Sequence, residues 1–234
     1  MRAEHRLKLM VTIVDRGKAK RIAALCGGLR APFHIVCFGT GTASSEILDI
    51  LGLGETDKDV AASIVPEGDI LRLQRRVLAE LQLGRPGGCV SFAILLTGIG
   101  SLVEDFVAHS AEEGAESEVE PMEHTEHHSL IVAVVRAGFS GTVMEAARAA
   151  GASGGTVLHG RGIGSREAEE FFGITIQPEK EILMILVPRQ DKQPILKAIC
   201  NKVLQSTGEH VTAFALPVTD VMGLTDYDLM NTDK

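Results

Sequence analysis

An internal repeat constrains the fold of this 234-residue chain more than any other feature of its sequence. When the chain is shifted by 121 residues, its two halves align without a gap from Val11 to Leu53. Ten of the 43 aligned positions are identical: Val11/Val132, Val14/Val135, Gly17/Gly138, Ala31/Ala152, Val36/Val157, Gly39/Gly160, Gly41/Gly162, Ser44/Ser165, Glu46/Glu167 and Gly52/Gly173. A repeat of this length predicts two copies of one structural unit.

Hydrophobic periodicity predicts the same order of elements in both halves: strand, helix, strand, strand, helix, strand. In the first half these elements are Leu9–Val14, Lys18–Leu29, Phe33–Phe38, Val60–Val65, a helix opened by Pro66, and Val90–Leu96. In the second half they are Leu130–Val135, Phe139–Ala150, Gly155–His159, Lys180–Val187, Pro194–Leu204 and His210–Leu216. This order is the ferredoxin-like plan, βαββαβ, with an antiparallel sheet and both helices on one face.

An acidic stretch separates the two copies. No Lys or Arg lies between Arg85 and Arg136. Nine Asp and Glu residues fall in this gap, all of them in the segment from Glu104 to His128, which has few apolar residues. Low hydrophobicity with one charge sign is typical of a solvated linker. We therefore expect an α+β chain of two tandem ferredoxin-like domains, at residues 1–103 and 128–234, joined by an acidic linker at 104–127.

Composition excludes several classes of function. The net charge is −8, there is no Trp, and there is one Tyr, so neither a basic nucleic-acid footprint nor an aromatic stacking platform is expected. No apolar run approaches the roughly 20 residues of a membrane helix, and we expect a cytoplasmic protein without membrane insertion. The cysteines form no CxxC pair, so reduced core residues are expected at Cys26, Cys37, Cys89 and Cys200.

Two connections are longer than a ferredoxin-like hairpin requires, from about Gly39 to Asp59 and from Gly160 to Glu179. Loops of this length inside a compact domain are usually functional. Each begins with a Gly-x-Gly step, which either cradles an anion with backbone N–H groups or only permits a turn with positive φ. Arg161, between two glycines, is a candidate anion contact or one side of a surface salt bridge.

Strands apolar at nearly every position, such as Ile182–Val187, also predict packing on a further copy.

The second half resembles the P-II family of nitrogen-regulatory signal proteins in GASGGTVLHGRGIG, IQPEKEILMILVP and FALPVTDVMGL, over most of residues 128–225. The first half resembles a weaker copy, from LMVTIVDRGKAKRIAALCGG through VSFAILLTGIGSL. The resemblance implies that each long connection is a T-loop contacting target proteins. It also implies a B-loop after the second helix and a C-loop after the last strand. Family members are trimers that bind adenine nucleotides, and often oxoglutarate, between subunits.

Several residues match family positions one by one. Gly160, Arg161 and Gly162 match the loop base near the nucleotide, with Gly39 and Gly41 at the corresponding step of the first half. Lys180 matches a lysine near the end of the T-loop, and Thr207 and Gly208 match the start of the B-loop. The B-loop here continues with glutamate and histidine instead of lysine and glycine. The only tyrosine, Tyr227, lies in the tail, so tyrosine-based control of the T-loop is excluded.

The resemblance therefore implies a non-catalytic regulatory protein that senses a small, nucleotide-like anion at inter-domain clefts. It would act on a partner protein through its T-loops, in the regulation of nitrogen utilisation. No resident cofactor is expected; an adenine nucleotide is the implied effector, and a trimer of tandem chains is the implied assembly.

Two other functions remain open from the residues. One is a metal-binding module of the cation-tolerance type, which shares the ferredoxin-like trimer. The other is a small enzyme, which the lack of a Gly-x-Ser-x-Gly elbow, a P-loop or an HExxH motif argues against. Separately, residues 123–128, which read Glu-His-Thr-Glu-His-His, either bind a transition metal or are only part of a solvated acidic linker.

Overall fold

The structure is a computed structural model that describes residues 7–27, 33–42, 56–81, 88–98, 127–161, 179–208 and 210–224. Within these ranges the predicted order of elements occurs twice. In the first half the elements are β1 (Leu7–Asp15), α1 (Ala19–Gly27), β2 (Phe33–Gly41), β3 (Thr56–Pro66), a 3₁₀ turn (Glu67–Asp69), α2 (Ile70–Leu81) and β4 (Cys89–Leu95). In the second half they are β5 (His128–Arg136), α3 (Ser140–Ala149), β6 (Thr156–Arg161), β7 (Glu179–Pro188), α4 (Lys192–Thr207) and β8 (Thr212–Met222).

The chain divides into two compact units, and neither unit is built from one half of the sequence alone. Unit 1 comprises Met1–Cys37, Lys58–His127 and Pro217–Lys234, and unit 2 comprises Phe38–Asp57 and His128–Leu216. Each unit therefore contains a segment from the opposite half of the sequence. The domain boundaries predicted from the acidic stretch stay a prediction, because residues 99–126 lie outside the described ranges.

In unit 1, β1 lies between β3 and β4 and is antiparallel to both. The last part of β8 adds to this sheet, with Met222 opposite Ser91 and Thr219 opposite Ala93 of β4. Apolar side chains from β1, β3 and β4 pack with those of α1 and α2, because a sheet with one apolar face must bury it against helices. This core consists of Met10, Val14, Ile22, Ala61, Val65, Ile70, Leu73, Val77, Leu81, Cys89 and Ala93.

In unit 2, β7 lies between β5 and β6, again antiparallel to both. The end of β2 joins here, with Gly39 opposite Leu158 and Gly41 opposite Thr156 of β6. Alternate residues of β7, from Glu181 to Val187, are buried, and those between them are half-buried. The core consists of Ile131, Ala133, Val135, Val143, Met144, Ala147, Ala152, Val157, Leu183, Ile185, Val187, Ile195, Ile199 and Val203.

The antiparallel α+β architecture is confirmed, but three local predictions are wrong. Gly39–Gly41, expected as a loop step, is strand, because it hydrogen-bonds to β6. Gly160 and Arg161, expected as the start of the second long loop, are also strand, because they pair with Lys180 and Glu179 of β7. The chain after Leu216, expected as a loop, continues as strand to Met222, because β4 offers it an edge. The arrangement as two separate tandem domains stays a prediction.

Side-chain burial corrects the expectation for the cysteines. Cys89 is buried, as predicted, but Cys37 and Cys200 are exposed free thiols. The side chain of Cys26 is outside the described part of the structure. Among the described helices, none is long and apolar enough to cross a bilayer.

Candidate anion-binding site

The start of α3 is fixed by a buried carboxylate on β7. Glu181 is 7% exposed, and its Oε2 accepts a hydrogen bond of 2.9 Å from the backbone N–H of Ser140. Burial by itself raises the pKa of Glu181, but hydrogen bonds from the backbone of Gly138 and Ser140 outweigh it, so the pKa is lowered. Gly138 has a φ of 90°, which turns the chain from β5 into the helix.

Beside this carboxylate, the register of the sheet places two cations next to each other. Arg136 at the end of β5 lies directly opposite Lys180 of β7, and Lys180 lies directly opposite Gly160 of β6. Opposite residues on neighbouring antiparallel strands project to the same face, with Cβ atoms about 5 Å apart. Glu181, the next residue along β7, projects to the other face. One face of this sheet end therefore presents Arg136 and Lys180, with no side chain at Gly160 in the same row.

The guanidinium of Arg136 also contacts an aromatic ring. Its central carbon lies 5.3 Å from the ring centroid of Phe139, within the range of a cation–π contact. This contact holds the arginine at the sheet end where the connection between β6 and β7 begins.

Arg161 ends β6 directly opposite Glu179, the first residue of β7, and both are exposed. This placement agrees with a surface charge pair between the two residues where the β6–β7 connection begins and ends. Gly162, also predicted from the sequence, lies outside the described residues.

Gly39 and Gly41 are buried in β2, in the same unit as Lys180. A Cβ added to Gly39 would lie 2.8 Å from the Leu158 Cδ2 atom and 2.8 Å from the Val157 carbonyl oxygen. Strand pairing with β6 thus explains the glycine at position 39. The effector role predicted for Gly39 and Gly41 stays a prediction.

Thr207 and Gly208 terminate α4. The Thr207 hydroxyl donates a hydrogen bond of 2.8 Å to the carbonyl of Val203, and the Gly208 N–H donates one of 2.8 Å to that of Leu204. Gly208 has a φ of 72°, the left-handed conformation of a helix C-cap. These contacts explain both residues by their role in ending α4. Their predicted role in a B-loop stays a prediction.

Sequence reasoning brought Lys180 and Gly160 to one site but missed Arg136 and the role of Glu181. A signal for Glu181 was present. With a shift of 122 residues, Lys58-Asp59 aligns with Lys180-Glu181, and in the structure Asp59 Oδ2 accepts hydrogen bonds from the N–H groups of Gly17 and Ala19. The same lysine-acid step therefore fixes the start of the first helix in each half.

In the ranges that the structure describes, no three His, Cys, Asp or Glu side chains are grouped so as to hold a metal ion. Most of the linker's glutamate and histidine residues lie outside these ranges.

Comparisons with known proteins agree with the resemblance of the second half. The family model described as nitrogen regulatory protein P-II matches residues 128–226. A crystal structure of Arabidopsis thaliana PII bound to citrate is 23% identical, and the match covers 41% of this chain and 81% of that chain with a TM-score of 0.34. An unknown protein from Galdieria sulphuraria is 11% identical, over 91% of this chain and 98% of that chain, with a TM-score of 0.28.

No curated protein matches the chain. The family match stands on the sequence of the second half, which is also the clearer copy of the repeat. Residues 128–226 of this chain are therefore related to nitrogen regulatory protein P-II, as the sequence predicts.

Proposed function

We propose that this chain is a non-catalytic, P-II-like signalling protein whose second half binds a small anion at the base of the β6–β7 connection. The observation that carries the proposal is the row of Arg136, Lys180 and Gly160 across the end of three strands. Two neighbouring cations attract carboxylate or phosphate oxygens, and the glycine leaves room for a ligand to approach the backbone.

The anion would bias the conformation of the connection that leaves this row, and the connection would then bind or release a partner protein. Such a switch requires that the anion binds the two conformations with different affinities. The P-II match supports an adenine nucleotide as the effector and nitrogen utilisation as the regulated process. The predicted contributions of Gly39, Gly41, Arg161, Gly162, Thr207 and Gly208, the predicted domain boundaries and the cytoplasmic location are part of this proposal.

Isothermal titration calorimetry with ATP, ADP, oxoglutarate and citrate tests the site. We expect one of these anions to bind, and Arg136→Ala and Lys180→Ala each to raise its Kd by about tenfold or more, the loss of one charge-assisted contact. Lys197→Ala, which removes an exposed lysine of α4, is the matched control and should leave Kd unchanged.

Thermal stabilisation by Zn²⁺ or Cu²⁺, with none by any of the four anions, would contradict the proposal and favour the cation-tolerance alternative. Steady hydrolysis of ATP would contradict the non-catalytic part. Native mass spectrometry tests the assembly, because a trimer of tandem chains has three times the mass of the chain.

A further inference from the structure

The first half contains the same sheet end as the candidate site, with the charge changed at two positions. Five positions correspond by their place in the repeat. In the first half they hold Asp15, Gly17, Lys18, Lys58 and Asp59; in the second they hold Arg136, Gly138, Phe139, Lys180 and Glu181. The correspondence is also structural, since Asp15 lies opposite Lys58 as Arg136 lies opposite Lys180.

The backbone around these positions is the same in both halves. Gly17 and Gly138 have φ values of 88° and 90°, and each precedes a helix whose first N–H groups bind a carboxylate on the third strand. The difference between the halves is therefore confined to side chains. An aspartate stands in the place of Arg136, and a lysine stands in the place of Phe139.

The Asp15 carboxylate occupies a position between two ammonium groups. Its Oδ1 lies 2.8 Å from Nζ of Lys58, and its Oδ2 lies 3.0 Å from Nζ of Lys18. The Lys58 side chain is 11% exposed and the Asp15 side chain 47% exposed, so the lysine is shielded from water while the carboxylate is half-exposed. The pKa of Asp15 is lowered: burial raises it, and the hydrogen bonds and charges of the two lysines lower it by more.

We propose that the first half contains an anion site filled by its own Asp15, so that the chain binds its effector anion only in the second half, one anion per chain. The inference rests on the proposed function for the position of the second-half site. The carboxylate of Asp15 supplies the charge that an external carboxylate or phosphate supplies at Arg136 and Lys180. Of the two P-II-like copies, the second thus binds an external anion. In the first, the Asp15 carboxylate permanently occupies the corresponding site.

Calorimetry on the full chain tests this inference, with citrate as the carboxylate probe and ADP as the phosphate probe. We expect one site per chain in the wild type and two in Asp15→Asn, which keeps the shape of the side chain and removes its charge. Asp15→Ala is the second variant, and thermal melting of both verifies that they fold. If only one of the two probes binds at a second site in Asp15→Asn, the two lysines bind the chemical group of that probe, either carboxylate or phosphate.

The matched control is Glu145→Gln. Glu145 is exposed and its Oε1 lies 3.1 Å from Nζ of Lys202, so this variant also removes one carboxylate from a lysine, but away from the loop bases. We expect one site per chain in this variant. In the double variant Asp15→Asn, Arg136→Ala, a single strong site should remain, in the first half.

The outcomes separate this inference from the proposed function. Two sites in the wild type, or one site in both the wild type and Asp15→Asn, would overturn the inference and leave the proposed function standing. No site in the wild type and one in Asp15→Asn would support the inference and overturn the proposed function. No binding of either probe to either protein would overturn both.

Discussion

The ammonium nitrogen of Lys8 lies 2.8 Å from Oδ2 of Asp220, although the two residues are 212 positions apart in the sequence. Both lie within unit 1, and their side chains are 1% and 7% exposed. Nζ of Lys8 also lies 3.1 Å from Oε1 of Glu67 and 3.1 Å from Oγ1 of Thr219. Asp220 has a φ of 52°, a left-handed conformation that Asp and Asn tolerate better than most residues.

We predict that Lys8→Met lowers the free energy of unfolding by about 3 kcal/mol, since it removes the cation beside the buried carboxylate of Asp220 and the half-buried one of Glu67. Asp220→Asn should cost less, about 1 kcal/mol, because Glu67 still neutralises Lys8 and asparagine tolerates the same backbone conformation. Urea unfolding of both variants measures the difference. Equal losses, or a larger loss in Asp220→Asn, would contradict the assignment of Lys8 as the centre of this cluster.

The lowered pKa of Glu181 makes its contribution to stability depend on pH. A carboxyl group whose folded pKa is below its unfolded value stabilises the fold above the unfolded pKa and loses that effect as the pH falls through the folded pKa. The ordinary value for Glu181 is 4.5. Glu181→Gln should therefore be less stable than the wild type at neutral pH, and the gap should close as the pH falls from about 4.5 through the folded pKa. If the difference in unfolding free energy between the two proteins stays constant down to the pH of acid unfolding, this role of Glu181 is excluded.

Two glycines predicted for the effector site should respond differently to alanine. Gly39→Ala should lower the free energy of unfolding by about 2 kcal/mol, because the new Cβ meets the backbone oxygen of Val157 at 2.8 Å, and backbone atoms cannot move aside. At Gly160 a Cβ would meet Ile182 Cδ1 at 3.7 Å, an ordinary contact, so Gly160→Ala should change stability by less than about 0.5 kcal/mol. Thermal melting of both variants compares them. A destabilised Gly160→Ala would show that this position is more crowded than the sheet indicates.

The exposed and buried cysteines should differ in reactivity. Burial raises the pKa of the Cys89 thiol to about 12, whereas Cys37 and Cys200 are exposed. The thiolate is the reactive form, so at pH 8 iodoacetamide should alkylate Cys89 at least about a thousandfold more slowly than the other two. Mass spectrometry of a Cys26→Ser protein measures this, and denaturation should make all three react. Rapid alkylation of Cys89 in the folded state would contradict its place in the core.

The local plan of this protein could be predicted from its sequence because it depends on local patterns. Continuous apolar runs in Leu130–Val135 and Lys180–Val187 predicted β5 and β7 to within two residues at each end. The helix of Lys192–Thr207 likewise begins two residues before its predicted start. Local periodicity cannot predict which strands extend by pairing with distant ones, so the ends of β2 and β8 were missed.

The candidate site was predicted in part for a related reason. Lys180 and Gly160 are marked by the family motif, but Arg136 differs between the two copies of the repeat, and identities between copies cannot reveal a position where the copies have diverged. The contact of Lys8 with Asp220 has no signal in the sequence at all, since the two residues meet only after folding.

The composition of the two compact units has a consequence for any attempt to divide the protein. Unit 2 includes Phe38–Gly41 from the first half, and unit 1 includes Pro217–Met222 from the second. Two polypeptides produced by cutting the chain in its acidic stretch would each lack a strand segment that the other carries. They should be poorly soluble when expressed apart and should recover when co-expressed, as complementary fragments do. Neither copy of the repeat therefore forms a complete compact unit from its own residues.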